Sequence, residues 1–165
     1  MISPIKTERL ILRPLQLGDA PAVAALWREP AVARMVCSIP LPQAPIAAEG
    51  WILLDQARRH LKRDFVLGFI HPERGLIGVG GAHVRGPGVE IGYSIHPEHW
   101  GFGFATEAVG AVTRFAAGLH CGPVQATVFT DNPASRRVLE KLGFAPVGEP
   151  YPLFSLGRSG SSTAV

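Results

Sequence analysis

The sequence of 165 residues has only two cysteines, Cys37 and Cys121, too few for a disulfide framework and without zinc-site spacing. They read as buried thiols. Long apolar runs are missing too: stretches such as Phe65 to Ile70 fall far short of the about 18 residues that a membrane span needs. Charge of one sign is also scarce. Sixteen basic against 13 acidic side chains leave +3, mildly favourable to an anionic ligand but not the mark of a nucleic-acid partner. The densest basic stretch, Arg58-Arg59-His60 with Lys62-Arg63, falls on a predicted helix and reads as a solvated face. Lys6, Glu8 and Arg9 stand where a signal peptide would be apolar, so a cytoplasmic protein with no membrane segment is expected.

What is present is material for one core. The hydrophobic fraction of 47% lies in the range of about 45–50% usual for globular domains, which excludes disorder as the overall state. The 19 glycines and 15 prolines fall at the ends of predicted elements rather than in a low-complexity block. No repeat is visible, and a single domain over residues 1–156 with a small, polar tail at 157–165 is expected.

Along the chain, Glu8 to Leu15 predicts a first strand ending at Pro14. Asp19 then offers an N-cap for a helix with Val23, Leu26 and Trp27 on one stripe, and Ala31 to Val36 a short helical piece. Three prolines make Ile39 to Pro45 a loop, after which Trp51, Leu54, Ala57 or Arg58, and Leu61 recur at helical spacing. From Phe65 the period changes to two. Phe65–Ile70, Leu76–Val84 and Val89–Ile95 read as an antiparallel meander, with Glu90 on the opposite face from Val89, Ile91, Tyr93 and Ile95. A glycine loop then leads into a helix whose stripe is Ala108, Val112, Phe115, Ala116 and Leu119. A strand at Val124–Thr130, a helix opened by Asn132-Pro133 and stopped at Gly143, and a last strand from Phe144 to about Gly148 complete the order. The fold class that follows is α+β, a mixed, mostly antiparallel central sheet flanked by helices.

The chemistry concentrates at Gly101-Phe102-Gly103-Phe104-Ala105. Two glycines free closely spaced amides just before a helix N-terminus, where the helix dipole also favours an anion such as a pyrophosphate. Glycine spacing alone fits a tight packing turn equally well. The dinucleotide fingerprint is excluded because Thr106 stands where a third Gly or Ala is needed, and no Walker Gly-Lys-Ser/Thr occurs, which disfavours a nucleotide-binding oxidoreductase. His96, Glu98 and His99 lack the helical metal-site arrangement and read as hydrogen-bonded loop residues, so no metal is expected. No Gly-x-Ser-x-Gly elbow occurs and neither cysteine has a recognisable histidine partner, so covalent catalysis has no support.

"HWGFGFATEA" at His99–Ala108, followed by "TDNPASRRVLEKLGF" at Thr130–Phe144 and preceded by "TERLILRPL" at Thr7–Leu15, resembles the GNAT superfamily of N-acetyltransferases, in the branch of the ribosomal-protein N-terminal acetyltransferases. The resemblance covers roughly residues 7 to 149. It implies a single GNAT-like domain that uses acetyl-CoA as acyl donor. By the same resemblance the loop from Trp100 through Gly101, Phe102, Gly103, Phe104, Ala105 and Thr106 takes the pyrophosphate, Ser94 and Ile95 pair with the pantetheine arm, and Asn132 and Ser135 line the groove near the sulfur. Phe102 replaces a commonly basic position. Leu139 stands where many relatives carry a tyrosine acid, which leaves Ser135 as the thiolate partner, and Glu90 matches a residue proposed as general base. The partner implied is an amine, on a small molecule or a protein N-terminus, acetylated by a monomer or homodimer. The alternative is a catalytically silent acyl-CoA-binding module.

Overall fold

The change of period at Phe65 does separate helix from sheet in a computed structural model of the chain, which describes residues 2–35, 44–119, 122–147 and 153–156, the last four by backbone alone. Strand β1 is Ile5–Lys6 and β2 is Ile11–Pro14. The expected strand from Glu8 starts late because Thr7 to Leu10 form a turn, closed by the Thr7 amide on the Leu10 carbonyl at 2.9 Å and by the Leu10 amide on the Thr7 hydroxyl oxygen at 3.0 Å. Helix α1 is Ala20–Arg28. Asp19 does not cap it with its side chain; the carboxylate instead takes both terminal nitrogens of Arg13, at 2.8 and 2.9 Å, and the Gln16 amide at 2.8 Å.

A short α2, Pro30–Ala33, precedes α3, Pro45–Arg58. The stripe expected on α3 is shifted. Ala48, Ile52 and Asp55 face inward, while Leu54 and Leu61 are exposed. The helix stops at Arg58, a 3-10 turn follows, and Lys62 adopts a left-handed φ of 52°, so Leu61 is no longer on the helix. Trp51 meets Trp27 edge-on at 4.8 Å and fastens α3 to α1. Arg59 is not the solvated cation expected, since it pairs with the buried Asp55 at 2.8 Å. Cys37, Cys121 and residues 157–165 lie outside the described residues.

The meander is β3 (Asp64–His71), β4 (Gly75–Arg85) and β5 (Gly88–Ile95). Helix α4 (Phe104–Gly118), β6 (Val124–Thr127), α5 (Pro133–Lys141), β7 (Phe144–Pro146) and β8 (Leu153–Leu156) follow. The last strand read from the sequence is therefore a correction: β7 ends at Pro146, and β8 inserts between β6 and β7, pairing antiparallel with both. The eight-stranded sheet runs β1-β2-β3-β4-β5-β6-β8-β7, and its one parallel pair is β5 with β6.

Alternation sends the side chains to two cores. Leu67, Phe69, Ala82, Ile91 and Val124 pack with Ala108, Val112 and Ala116 of α4 and Leu139 of α5, whereas Val66 and Val79 pack with Leu26, Trp27 and Ile52 of α1 and α3. Gly81 shows how closely β3 and β4 approach. A Cβ there would lie 2.4 Å from the Phe65 carbonyl oxygen, so no larger residue fits.

Candidate active site

The parallel pair barely exists. β5 and β6 are in register only at Val89 with Val124 and Glu90 with Gln125, while the other edge of β5 stays paired with β4 from Gly88 to Ile95. From Ile91 onward, among the described residues, the β6-facing edge of β5 has no strand partner. Parting strands leave unpaired backbone groups beside open space, and the space here is a groove of about 1480 Å³. Ser94 and Ile95 line it, as do Trp100, Gly101 and Gly103 to Thr106 from the loop and Asn132 and Ser135 from α5. Phe102, half exposed, is outside that lining.

Gly101 and Gly103 have φ of +83° and +80°, a region that costs a side-chain-bearing residue energy, and Gly103 is the N-cap of α4. The loop is held from outside. Arg9 donates to the Phe102 carbonyl at 2.9 Å, pairs with Glu107 in the first turn of α4 at 2.8 Å and lies 4.6 Å over the Phe104 ring. Thr7 donates to the same carboxylate at 2.6 Å. Burial alone would push the Glu107 carboxyl up, but the bonds from Thr7 and Arg9 outweigh it and hold it below its ordinary value. The opening Thr7-Glu8-Arg9 motif thus braces the glycine loop, a role that sequence reading missed because the two segments are almost a hundred residues apart. Arg74, from the β3–β4 turn, stacks 4.7 Å over Phe102 and brings a cation beside the loop whose own third position is apolar. Trp100 donates its indole N–H to the Ile95 carbonyl at 2.7 Å, tying the loop to the end of β5.

At the point where the strands part, a polar row crosses the sheet. Asp64 on β3 opposes His83 on β4, and His83 opposes Glu90 on β5. The Thr127 hydroxyl donates to Glu90 at 2.9 Å. Next in the row Gly81 faces Gly92, and a Cβ at Gly92 would meet nothing within 4 Å, so the floor of the groove is bare backbone. Asp55 of α3 also lines the groove; its Oδ1 is buried without a partner among the described residues, and burial raises its pKa against the opposing pull of Arg59.

Asn132 caps α5, its side-chain oxygen accepting from the Ser135 amide at 3.1 Å. The Ser135 hydroxyl is 2.7 Å from the hydroxyl of Tyr93. Burial pushes Tyr93 up to about 12 despite that bond. Leu139 is fully buried in the α4-side core, so a tyrosine at that position could not simply return a hydroxyl to the groove. Tyr93 reaches Ser135 from the sheet instead. Sequence reading placed it with the apolar face of β5 and had no signal for that contact.

The loop histidines also sit together. His96, Glu98 and His99 bring one ligand atom each within 4.8 Å of one another. His96 accepts weakly from the Glu98 amide at 3.4 Å, as a hydrogen-bonded loop residue should, but His99 Nδ1 is buried without a partner among the described residues. Burial, with Arg74 and His96 nearby, lowers the His99 pKa.

The glycine loop at a helix N-terminus is the arrangement the sequence motifs led to expect, and residues 9–145 match the family model of the acetyltransferase (GNAT) domain. The chain belongs to the GNAT family. It is 34% identical over 155 residues to the uncharacterized N-acetyltransferase YoaA of Bacillus subtilis (strain 168), covering 90% of this chain and 86% of that protein. Among solved structures it superposes on the ribosomal-protein-S5-alanine acetyltransferase from Vibrio fischeri with a TM-score of 0.81, at 18% identity over 93% of this chain and 96% of the other. The microcin C7 self-immunity acetyltransferase MccE, solved with acetyl-CoA and AMP, superposes with a TM-score of 0.78 at 14% identity, over 90% and 92%. This GNAT chain is an acetyltransferase with acetyl-CoA as its acyl donor. No helix among its described residues is long and apolar enough to cross a membrane.

Proposed function

We propose that this GNAT enzyme transfers the acetyl group to a primary amine, on a small molecule or a protein N-terminus, by direct attack within a ternary complex. The observation that carries the reading is the opening between β5 and β6, which begins at Glu90 and ends at the amides of Gly101 to Thr106. The pyrophosphate binds those amides and the positive end of α4, and the pantetheine arm takes the free edge of β5 at Ser94 and Ile95. Trp100 and Phe104 hold the loop against β5 and the core, so that Phe102 can be exposed without loosening it. Asn132 keeps the first turn of α5 in place.

The acceptor ammonium gives a proton to Glu90. The freed nitrogen attacks the thioester carbonyl, a C–N bond forms, the C–S bond breaks, the sulfur leaves as a thiolate, and the second proton, which the nitrogen loses on becoming an amide, replaces the one that Ser135 gives to that sulfur. A backbone N–H near Ile95 meets the carbonyl oxygen as charge builds on it. Ser135, bonded to Tyr93, donates to the sulfur. A Tyr93 hydroxyl titrating near 12 is too weak an acid to protonate a thiolate outright, but it stays protonated and keeps Ser135 oriented.

Thiol release with peptides, polyamines, amino acids and aminoglycosides tests the reading. Turnover with at least one primary amine is expected; tight acetyl-CoA binding with no release on any amine would make the chain a silent acyl-CoA module. Gly103→Val should abolish acetyl-CoA binding in a folded protein, because the φ of +80° disfavours a branched side chain and that side chain would stand in the space this reading gives the pyrophosphate. Calorimetric affinity unchanged from wild type would remove the loop from the site.

A further inference from the structure

We infer that His83, oriented by Asp64, receives the acceptor's proton from Glu90 and delivers it to solvent; the inference rests on the amine-transfer reading above. His83 Nδ1 lies 2.7 Å from Asp64 Oδ1. A carboxylate only accepts, so Nδ1 carries the hydrogen and the neutral ring presents its lone pair at Nε2. Asp64 is fixed in turn by Arg85, whose guanidinium donates to the same oxygen at 2.9 Å. Burial would raise the Asp64 carboxyl, but the bonds from His83 and Arg85 outweigh it and keep it ionised well into acid.

His83 and Glu90 stand directly opposite on β4 and β5, where paired Cβ atoms are about 4.5–5.5 Å apart, and both line the groove. The groups facing the imidazole are Asp64 from β3, Arg85 from β4, Glu90 from β5, and Asp55 with its partner Arg59 from α3. An imidazole nitrogen is a stronger base than a carboxylate oxygen, so a proton taken from an amine rests longer on a ring than on a carboxylate. One proton moves from the ammonium to Glu90, from Glu90 to Nε2, and from the ring to water; no other bond changes. Asp64 acts through His83 and is a positioning residue.

The test is the pH profile of kcat at saturating acetyl-CoA for wild type, His83→Gln, His83→Ala and Asp64→Asn, beside calorimetric acetyl-CoA affinity. Positioned proton acceptors are worth about 10²- to 10⁴-fold, and an assisting one should fall at the low end. His83→Gln should lower kcat about tenfold or more at pH 7, lose one inflection of the wild-type pH profile, and leave acetyl-CoA affinity within about twofold. Added imidazole should restore turnover to His83→Ala in proportion to its concentration, and Asp64→Asn should shift the inflection rather than remove it. A wild-type profile in His83→Gln, or a loss equal at every pH that imidazole cannot restore, overturns the role of His83 and leaves amine transfer standing. Wild-type protein that releases thiol with no amine overturns both.

Discussion

The two faces of the sheet between β3 and β6 are built from the same strands to opposite ends. Toward α4, Leu67, Ala82, Ile91 and Val124 close into an apolar core with Ala108, Val112 and Ala116. Toward α1 and α3, the same stretch of sheet carries Asp64, His83 and Glu90 and then two facing glycines. Strand alternation makes this possible without altering the backbone, because one residue step moves a side chain from core to groove. The first face holds the sheet together so that the second can be left unfilled. Substitutions on the two faces should therefore fail differently.

The largest effect is expected where the backbone itself is closest. Gly81→Val puts a branched side chain onto the Phe65 carbonyl, 2.4 Å from the Cβ position, and should cost at or above the upper end of the about 1–3 kcal/mol typical of overpacking. Out of a total stability of about 5–15 kcal/mol this should lower the thermal midpoint by many degrees, a shift read by calorimetry. Its cross-strand partner should behave oppositely. Gly92→Leu meets no atom within 4 Å at Cβ and has no positive φ, so the midpoint should hardly move. The side chain would instead fill the groove beside Glu90, where the proposed reaction needs the acceptor amine, and misplacement of about 1 Å can cost about 10²-fold. Turnover should fall by at least that much, and equal loss of stability in the two variants would erase the distinction between the closed β4 side and the open β5 side of the groove floor.

That pair also marks how much was legible in the sequence. Period-two alternation put Glu90 opposite Val89, Ile91, Tyr93 and Ile95, and the glycine loop before a helix was visible as a pattern of residue types. The parting of β5 from β6 was not visible, because a strand that loses its partner halfway keeps the same alternation. Nor was the Arg9–Glu107 pair, the Asp64–His83–Glu90 row or the Tyr93–Ser135 contact, each of which joins residues distant in sequence. The α3 stripe shifted by one position for a related reason: a helix with both Leu and Ile on adjacent faces is oriented by what α1 offers, here Trp27 against Trp51, not by its own pattern. The strand β8 escaped because its place between β6 and β7 is set by pairing with segments elsewhere in the chain, not by a pattern within residues 153–156.

A smaller effect is expected on the polar face itself. Glu90→Gln keeps the shape and a bond to Thr127 but removes the proton acceptor, and turnover at neutral pH should drop by about 10²-fold. An α-amine loses its proton near about 7.7–8.0 and a lysine-like amine near about 10.4, so the defect should be larger for the latter. The sign is fixed: raising the pH supplies free amine without help, so the rate should partly recover in alkali. A loss that is the same from pH 6 to 9 would make Glu90 a structural partner of Thr127.

The smallest effect belongs to the contact between the two faces. Tyr93 leaves β5 on the α4 side, yet its hydroxyl meets Ser135 at the lip of the groove. Ser135→Ala should slow kcat by about tenfold, since a thiolate leaves readily even unprotonated, and Tyr93→Phe should cost less because Ser135 keeps its own hydroxyl. Both losses should be flat with pH from 6 to 9, because a phenol pushed up to about 12 holds its proton throughout that range and donates equally well at either end. Leu139→Tyr should not restore the Ser135→Ala rate, since the added ring would enter a fully buried site and overpack the α4-side core rather than reach the sulfur. Stopped-flow thiol release separates the outcomes. If Ser135→Ala weakens acetyl-CoA binding as much as it slows release, Ser135 is a contact for the bound acyl donor, Tyr93 only holds it in place, and water supplies the proton to the sulfur.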